Sequence, residues 1–241
     1  EAAWAKWLGT RNAISVANGT CALHTALASL NIGSGDEVIC TSYSFIASSF
    51  CALQAGALPV FVDCGTDHLI NPDLIEDAIT ERTKAVVVVH YCAYPAPMDE
   101  IMAVARKHNI KVIEDVSHAQ GGMYKGKMLG TFGDVSAMSL MSCKSFAIGE
   151  GGMLVTDDYE IYRRAIRWGH YDRIPQEFKP EEFADTKNLP LGGLKNRMHQ
   201  VAAAVGREQL KKYDAECAEI DKASVRVLPI FNLLAKTGNI P

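Results

Sequence analysis

The stretch AVVVVHYCAYPAPMDEIMAVARKHNIKVIED, residues 85–115, decides the fold, because two apolar runs enclose one amphipathic segment. The runs Ala85–His90 and Lys111–Asp115 are rich in Val and Ile with little polar alternation, which is typical of strands covered on both faces. The segment that starts at Pro97 has acidic residues first and basic residues last, as a helix prefers. A strand, a helix and a second strand in this order predict parallel pairing through a right-handed crossover.

Short apolar runs alternate with amphipathic segments on both sides of this unit, from Ala13 to about Thr156. Asn71 as N-cap, followed by Pro72, marks the start of another helix. Strands are also predicted at three further runs: Glu37–Cys40, Pro59–Asp63 and Val135–Leu140. We therefore expect an α/β fold with a mostly parallel sheet sandwiched by helices, in which ligands gather at the carboxyl ends of the strands.

The pattern changes after Asp158, where a helix, a loop containing Pro and Gly over residues 174–193 and a long helical segment follow. The helical segment would place four apolar residues on one face: Val201, Ala202, Val205 and Leu210. We expect a large domain at residues 1–205, and a connecting helix with the start of a truncated C-terminal domain at residues 206–241. Because the chain opens without Met in what looks like the middle of a helix, we expect it to be an excerpt from a longer protein.

The composition argues against several classes of protein. With 24 Lys and Arg residues against 28 Asp and Glu residues, the net charge of -4 gives no support for nucleic-acid binding. No apolar run reaches the roughly 18 residues that a membrane crossing needs. The seven cysteines are an odd set with no CxxC pair and no zinc-like spacing, so we expect no metal site and a reducing, cytoplasmic location.

A candidate anion site lies at Gly19 and Thr20, which follow a predicted strand and open a helix. Backbone N–H groups at a helix start lack intrahelical acceptors, and with a threonine hydroxyl beside them they can bind a phosphate. A Gly-Thr pair is as often a simple N-cap, so this feature alone leaves both interpretations open. Ser139, at the end of a later strand, could add a hydroxyl to the phosphate or could simply be a small residue in a packed strand.

Asp115 ends a predicted strand and is therefore expected at the ligand-bearing edge of the sheet, while Glu114 should point to the opposite face. The Asp115 carboxylate could serve a metal, a ribose hydroxyl or a protonated ring nitrogen, or it could cap the next segment. His118 follows three residues later and can donate a hydrogen bond to an oxygen, although a lone histidine is more often structural.

Lys144 follows an apolar run and precedes the glycine-rich GEGG at residues 149–152. A lysine is usually a surface cation. Close backbone and partial burial would instead destabilise its charged form and free a nucleophilic amine of the kind that forms a Schiff base. Phe45 follows another strand and would be core by default, but at the sheet edge its ring could cover a flat ligand.

One ligand accounts for all of these groups together. A phosphate cradle, an aromatic ring, a strand-end carboxylate, an oxygen donor and a recessed lysine are the requirements of pyridoxal 5'-phosphate. The lysine would bind the cofactor covalently. The carboxylate would keep the pyridine nitrogen protonated, so that the ring can accept electrons when a substrate loses its Cα proton.

Four motifs resemble those of the DegT/DnrJ/EryC1/StrS family, the pyridoxal-phosphate-dependent aminotransferases of nucleotide-sugar and aminocyclitol biosynthesis. They are SVANGTCALH (15–24), TSYSFIASS (41–49), VIEDVSHAQGGMYKGKMLGTFGD (112–134) and SLMSCKSFAIGEGGMLVTDD (139–158). The resemblance covers nearly the whole chain. It implies the large domain of a type I, aspartate-aminotransferase-like transferase, with the small C-terminal domain largely missing.

The resemblance also implies roles for individual residues. Lys144 would be the Schiff-base lysine and proton shuttle, Asp115 the partner of the pyridine nitrogen, and His118 a neighbour of the ring hydroxyl. Phe45 would stack on the ring. The phosphate would be bound by four residues, partly through backbone N–H groups: Gly19, Thr20, Cys21 and Ser139.

One motif departs from the family. Near Gly193 the family commonly has an Asn that reaches the phosphate of the neighbouring subunit's cofactor, whereas GLKNRM in this chain puts Lys195 at that position and Asn196 one residue later. A cation could do the same work, so we expect Lys195 to contact the phosphate in the partner subunit of a homodimer, whose active site would lie at the subunit interface.

The resemblance implies that the protein transfers an amino group from glutamate or glutamine to an acceptor. The acceptor would be a nucleotide-linked keto-sugar or a keto-cyclitol. Two alternatives stay open: a sugar dehydratase of the same family, and a non-catalytic regulator that binds pyridoxal phosphate. Dehydratases of the family replace the lysine with histidine, so Lys144 favours the aminotransferase, and the presence of Asp115 favours a catalyst over a regulator.

Overall fold

The computed structural model describes residues 1–170, 172–173, 181 and 194–236. It contains a seven-stranded sheet and a separate two-stranded hairpin. The strands are β1 (Asn12–Val16), β2 (Glu37–Thr41), β3 (Leu58–Val62), β4 (Thr83–Val89), β5 (Lys111–Asp115), β6 (Met123–Tyr124), β7 (Lys127–Met128), β8 (Val135–Ser139) and β9 (Gly152–Thr156). The large sheet has the order β1-β9-β8-β5-β4-β2-β3, and β6 pairs with β7.

The pairing confirms the prediction of a mostly parallel sheet. The four pairs β2–β3, β2–β4, β4–β5 and β5–β8 are parallel. The pairs β8–β9 and β1–β9 are antiparallel, and β9 was not among the strands predicted from the sequence. Because β9 returns directly alongside β8, the segment between them is a hairpin connection, and this segment carries Lys144.

Helices pack on both faces of the sheet, as the continuous apolar runs predicted. They are α1 (Ala2–Leu8), α2 (Gly19–Ser29), α3 (Ala47–Gln54), α4 (Pro72–Asp77), α5 (Met98–His108), α6 (Tyr159–Gly169), α7 (Gln200–Leu210) and α8 (Tyr213–Lys236), with a short 3-10 turn at Tyr91–Ala93.

Alternate side chains of the strands enter different clusters of the core, because successive strand residues point to opposite faces. In β4, Val87 packs with residues of α2, α3 and α6. Its neighbours Val86 and Val88 pack instead with residues of α4 and α5. A third cluster joins α1, α7 and Tyr213 to strands β8 and β9. These two-sided contacts explain why the strands lack polar alternation.

The predicted apolar face of the C-terminal helical segment is only partly correct. Ala202 and Leu210 pack against the core, but Val201 is 65% exposed and Val205 is 41% exposed. The inward face follows the spacing 202, 206, 210, and a Cβ built on Gly206 would lie only 3.3 Å from Ile148. The segment is also divided into α7 and α8, and the predicted domain boundary at residue 205 falls within α7.

The loop predicted over residues 174–193 lies almost wholly outside the described residues. Among the helices that the structure describes, none combines the length and the apolar character that a bilayer crossing requires.

Glu114 is fully buried and joins three segments of the fold. Its carboxylate accepts hydrogen bonds at 2.8, 2.7 and 2.7 Å from the backbone N–H groups of Gly130, Phe132 and Gly133. The His90 ring accepts from the Ala96 N–H at Nδ1, so its Nε2 carries the proton and donates to Glu114 at 3.0 Å. A buried carboxylate is tolerated only when it is satisfied in this way.

We expect Glu114→Gln to lower the free energy of unfolding by about 2–4 kcal/mol. The NH₂ group of the new glutamine would face N–H groups that now donate to the carboxylate, so buried N–H groups would be left unpaired. Urea unfolding followed by circular dichroism measures the difference. The matched control is Glu81→Gln, since Glu81 is exposed. Equal stability of the two variants would contradict this account of Glu114.

Candidate active site

A cavity of about 240 Å³ opens at the carboxyl ends of the central parallel strands. Val89, Asp115 and Ser139, the last residues of β4, β5 and β8, line it. This position is where ligands of parallel sheets are expected. Seven of the nine predicted site residues line this cavity: Gly19, Thr20, Phe45, Asp115, His118, Ser139 and Lys144.

The N-terminus of α2 forms one wall of the cavity. The N–H groups of Gly19 and Thr20 precede the first intrahelical bonds and have no acceptor among the described residues. A Cβ on Gly19 would lie 2.6 Å from the Cβ of Ser139, and a Cβ on Gly152 would lie 2.4 Å from the Asn18 carbonyl oxygen. Only glycine at these positions lets the helix start lie so close to the strand ends.

Cys21 is placed differently from its neighbours. Its N–H donates at 2.8 Å to the side-chain oxygen of Asn18, and Asn18 is the N-cap residue of α2. Its side chain packs against the core, and burial raises the pKa of the thiol. Among the described residues, the N–H groups of the first turn that lack an acceptor are therefore those of Gly19 and Thr20, and not that of Cys21.

Asp115 is buried, and both of its carboxylate oxygens accept hydrogen bonds. Oδ1 accepts from the Ser117 N–H at 3.1 Å, and Oδ2 accepts from the Ser48 hydroxyl at 2.8 Å. The Ser44 hydroxyl lies 2.9 Å from that of Ser48. Asp115 was predicted from the sequence and these serines were not, because nothing in a serine-rich stretch shows which hydroxyl reaches a distant strand.

His118 is half-buried in the cavity wall, and its Nδ1 is buried with no hydrogen-bond partner among the described residues. Burial lowers the pKa of His118 below its usual 6.5, and the nearby charge of Lys144 lowers it further, while Asp115 opposes the shift. The ring is therefore neutral near pH 7 and offers one donor and one acceptor to a ligand.

Lys144 is half-buried on the hairpin connection between β8 and β9. The segment is anchored by Phe146, which packs edge-on against Trp4 at 4.8 Å and against Tyr213 at 5.0 Å. Burial of this neighbour holds the backbone of Lys144 near the sheet while its amine lines the cavity.

Gln120 was not predicted, and it joins the lysine segment to the strand end. Its amide nitrogen donates to the Ser139 carbonyl at 2.6 Å, and its side-chain oxygen accepts from the Ser145 hydroxyl at 2.7 Å. The Tyr213 hydroxyl donates to the Gln120 carbonyl at 3.0 Å. The sequence gives no periodic pattern from which to predict that a buried glutamine forms hydrogen bonds with three separate segments.

Two further residues also line the cavity. Phe45 lines it with a side chain that is 65% exposed, so its ring is free to cover a ligand. Glu150 also lines it, whereas the sequence analysis considered only the backbone of the GEGG segment.

Lys195 does not line the cavity. It is exposed and forms an isolated antiparallel bridge with His170. Asn196, one residue later, is buried, and its amide donates to the Thr25 hydroxyl at 3.2 Å. The contact of Lys195 with a partner subunit's phosphate stays a prediction.

We expect the His118 imidazole to titrate below pH 6.5 and its midpoint to rise in Lys144→Gln, because the lysine charge disfavours the imidazolium. Two-dimensional NMR of the histidine ring resonances measures the midpoint. His24 is the internal control, since burial alone lowers its pKa. A midpoint for His118 that stays the same in the variant would contradict the predicted proximity of the two side chains.

Comparison with known proteins places these features in one family. A GDP-perosamine synthase from Escherichia coli O157:H7 is 38% identical over 225 residues, which are 90% of this chain and 59% of that protein. The chain spans 56%, 59% and 62% of the lengths of three curated relatives that it matches.

Solved structures agree with the fold. The structure of DesV from S. venezuelae in complex with a ketimine intermediate superposes with a TM-score of 0.79 at 34% identity, over 89% of this chain and 56% of that one. A GDP-4-keto-6-deoxymannose-3-dehydratase with bound GDP-perosamine, the ColD H188N mutant, gives a TM-score of 0.79 at 28% identity, over 89% and 60%. The family model of the DegT/DnrJ/EryC1/StrS aminotransferase family matches residues 1–226, and the chain belongs to that family.

Proposed function

We propose that the full-length protein is a pyridoxal-phosphate-dependent aminotransferase. The observation that carries this proposal is that the Lys144 amine and the Asp115 carboxylate line the same cavity. One group suits the aldehyde of the cofactor and the other its basic ring nitrogen, so a single pyridine could engage both.

The residues present fit this cofactor. The backbone N–H groups of Gly19 and Thr20, which have no acceptor in the described part of the chain, lie beside Ser139, whose hydroxyl accepts from the Met141 N–H and keeps its own hydrogen to donate. Such a set at the start of a helix suits a phosphate. The exposed ring of Phe45 is available to cover the flat pyridine.

Pyridoxal phosphate, when bound, supplies an aldehyde that captures amines and a ring that accepts an electron pair. The Lys144 Nζ would hold the cofactor and, when released, move a proton at the substrate carbon. The Asp115 carboxylate would hold a proton on the ring nitrogen. His118, which is neutral near pH 7, would exchange a hydrogen bond with the ring hydroxyl.

The proposed amino donor is glutamate or glutamine. The proposed acceptor is a nucleotide-linked keto-sugar or a keto-cyclitol. A relative named GDP-perosamine synthase and a structural neighbour with bound GDP-perosamine support the nucleotide-linked sugar. The dehydratase neighbour shows that the fold alone does not fix the reaction. Lys144 supports amine transfer over dehydration, and its position in the cavity beside Asp115 supports a catalyst over a regulator.

We expect borohydride to fix pyridoxal phosphate to Lys144 in the full-length protein, because the amine is the nucleophile that the cavity presents. Peptide mass spectrometry locates the adduct. In Lys144→Ala the adduct should disappear and amine transfer from glutamate or glutamine should fall about 10²–10⁴-fold. Lys84→Ala is the control, since Lys84 is exposed.

A panel of nucleotide-linked keto-sugars and keto-cyclitols identifies the acceptor. An adduct that persists in Lys144→Ala would overturn the assignment of the lysine. A protein that binds the cofactor but exchanges an amino group with no member of the panel would be a regulator, and one that releases water from the sugar without gaining an amine would be a dehydratase.

The proposed partner is a second copy of the chain. Ile46 at the N-cap of α3 and Phe50 and Leu53 on its outer face follow helical spacing, and all three are exposed directly after the cavity residue Phe45. A large apolar face of this kind usually marks an interface, and here it would bring a second subunit to the cavity mouth.

The proposed location of the protein is the cytoplasm, because its seven cysteines are all free thiols.

We expect the full-length protein to sediment as a dimer and the double variant Phe50→Glu, Leu53→Glu to sediment as a monomer, because charges would be buried without partners. Met123→Glu is the control, since Met123 is also an exposed apolar residue but lies on the hairpin strand β6. A wild-type monomer, or a double variant that stays dimeric, would refute this interface.

A further inference from the structure

The carboxylate of Asp115 has a second layer of hydrogen bonds on α3 and the segment before it. Ser48 is 1% exposed, and its hydroxyl lies 2.8 Å from Oδ2 of Asp115. Because an ionised carboxylate only accepts hydrogen bonds, Ser48 must donate to it. The Ser48 oxygen is then left to accept, so the Ser44 hydroxyl at 2.9 Å is the donor of that pair.

The direction of these bonds is therefore fixed along the chain of groups Ser44, Ser48 and Asp115. Each hydroxyl hydrogen points toward the carboxylate, which stabilises its negative charge, and successive bonds polarise one another. The other oxygen is held by the Ser117 N–H at 3.1 Å, so the orientation of the carboxylate is set. Ser44 lines the cavity, while Ser48 is beneath it.

We propose that Ser48, supported by Ser44, is a positioning residue that donates to the Asp115 carboxylate and keeps it aimed at the ring nitrogen of the cofactor. This inference rests on the proposed function. Ser48 acts through Asp115 and needs no contact with the cofactor itself. Its removal should therefore weaken only interactions that involve the ring nitrogen.

The test compares two cofactors that differ at one atom: pyridoxal phosphate and 1-deazapyridoxal phosphate, in which carbon replaces the ring nitrogen. Both carry the aldehyde and the phosphate, so their affinities for the full-length protein differ only through the nitrogen. We expect Ser48→Ala to reduce the preference for pyridoxal phosphate by about three- to tenfold, which is the effect of one hydrogen bond of ordinary strength, because Ser48 acts on the nitrogen only through the carboxylate. The affinity for the deaza compound should not change.

Three variants make this comparison specific. Ser48→Thr keeps the hydroxyl and should restore the preference. Ser44→Ala removes the donor to Ser48 and should give a smaller reduction in the preference, which also tests the proposal if Ser48→Ala does not fold. Ser49→Ala is the matched control on α3, because the Ser49 hydroxyl donates to the Ile46 carbonyl and should leave the preference unchanged.

Equal loss of affinity for both compounds in Ser48→Ala would show a purely structural role and overturn the proposal. An unchanged preference in both Ser48→Ala and Ser44→Ala would also overturn it. Failure of the proposed function has a different signature: in that case borohydride would fix neither compound to Lys144 of the unaltered protein, and the inference would fall with it.

Discussion

The alternation of side chains along β5 is the constraint on which the rest of the structure depends. Glu114 and Asp115 are adjacent and both buried, yet they point to opposite faces of the sheet. Glu114 binds the backbone of residues 130–133 and, through His90, the segment after β4. Asp115 is thereby presented to the cavity from a strand whose neighbours are fixed. The hydrogen bonds that make the burial of Glu114 tolerable therefore also fix the strand that positions Asp115.

Much of the fold could be predicted because it follows from local patterns. The strand Lys111–Asp115 is the same in the sequence analysis and in the structure, and the other predicted strands agree to within two residues. The antiparallel return of β9 was not predicted, since an apolar run does not reveal the direction in which it pairs. The inward face of α7 was misassigned at Val201 and Val205, because Gly206 rather than a large apolar residue marks the contact.

The candidate site divides in the same way. Asp115, Lys144 and Gly19 could be found because each occupies a diagnostic position: a strand end, a glycine-rich connection and a helix start. Ser48 and Gln120 could not, because their roles depend on long-range hydrogen bonds to atoms 67 and 19 residues away. The amide of Cys21 was assigned to the phosphate from its place in the motif, but in the structure it donates to the Asn18 side chain, so the binding of phosphate by Cys21 stays a prediction.

The hairpin that carries Lys144 has a kinetic consequence. Both of its ends continue into paired neighbouring strands, and Phe146 fixes its middle against Trp4. The backbone that carries the amine is therefore held in place, which in the proposed aminotransferase would give the amine a high effective molarity toward a carbonyl compound in the cavity. In the proposed aminotransferase, dissolved amines at millimolar concentration would compete poorly for that carbonyl carbon, and the protein would capture a bound aldehyde before solution nucleophiles consume it.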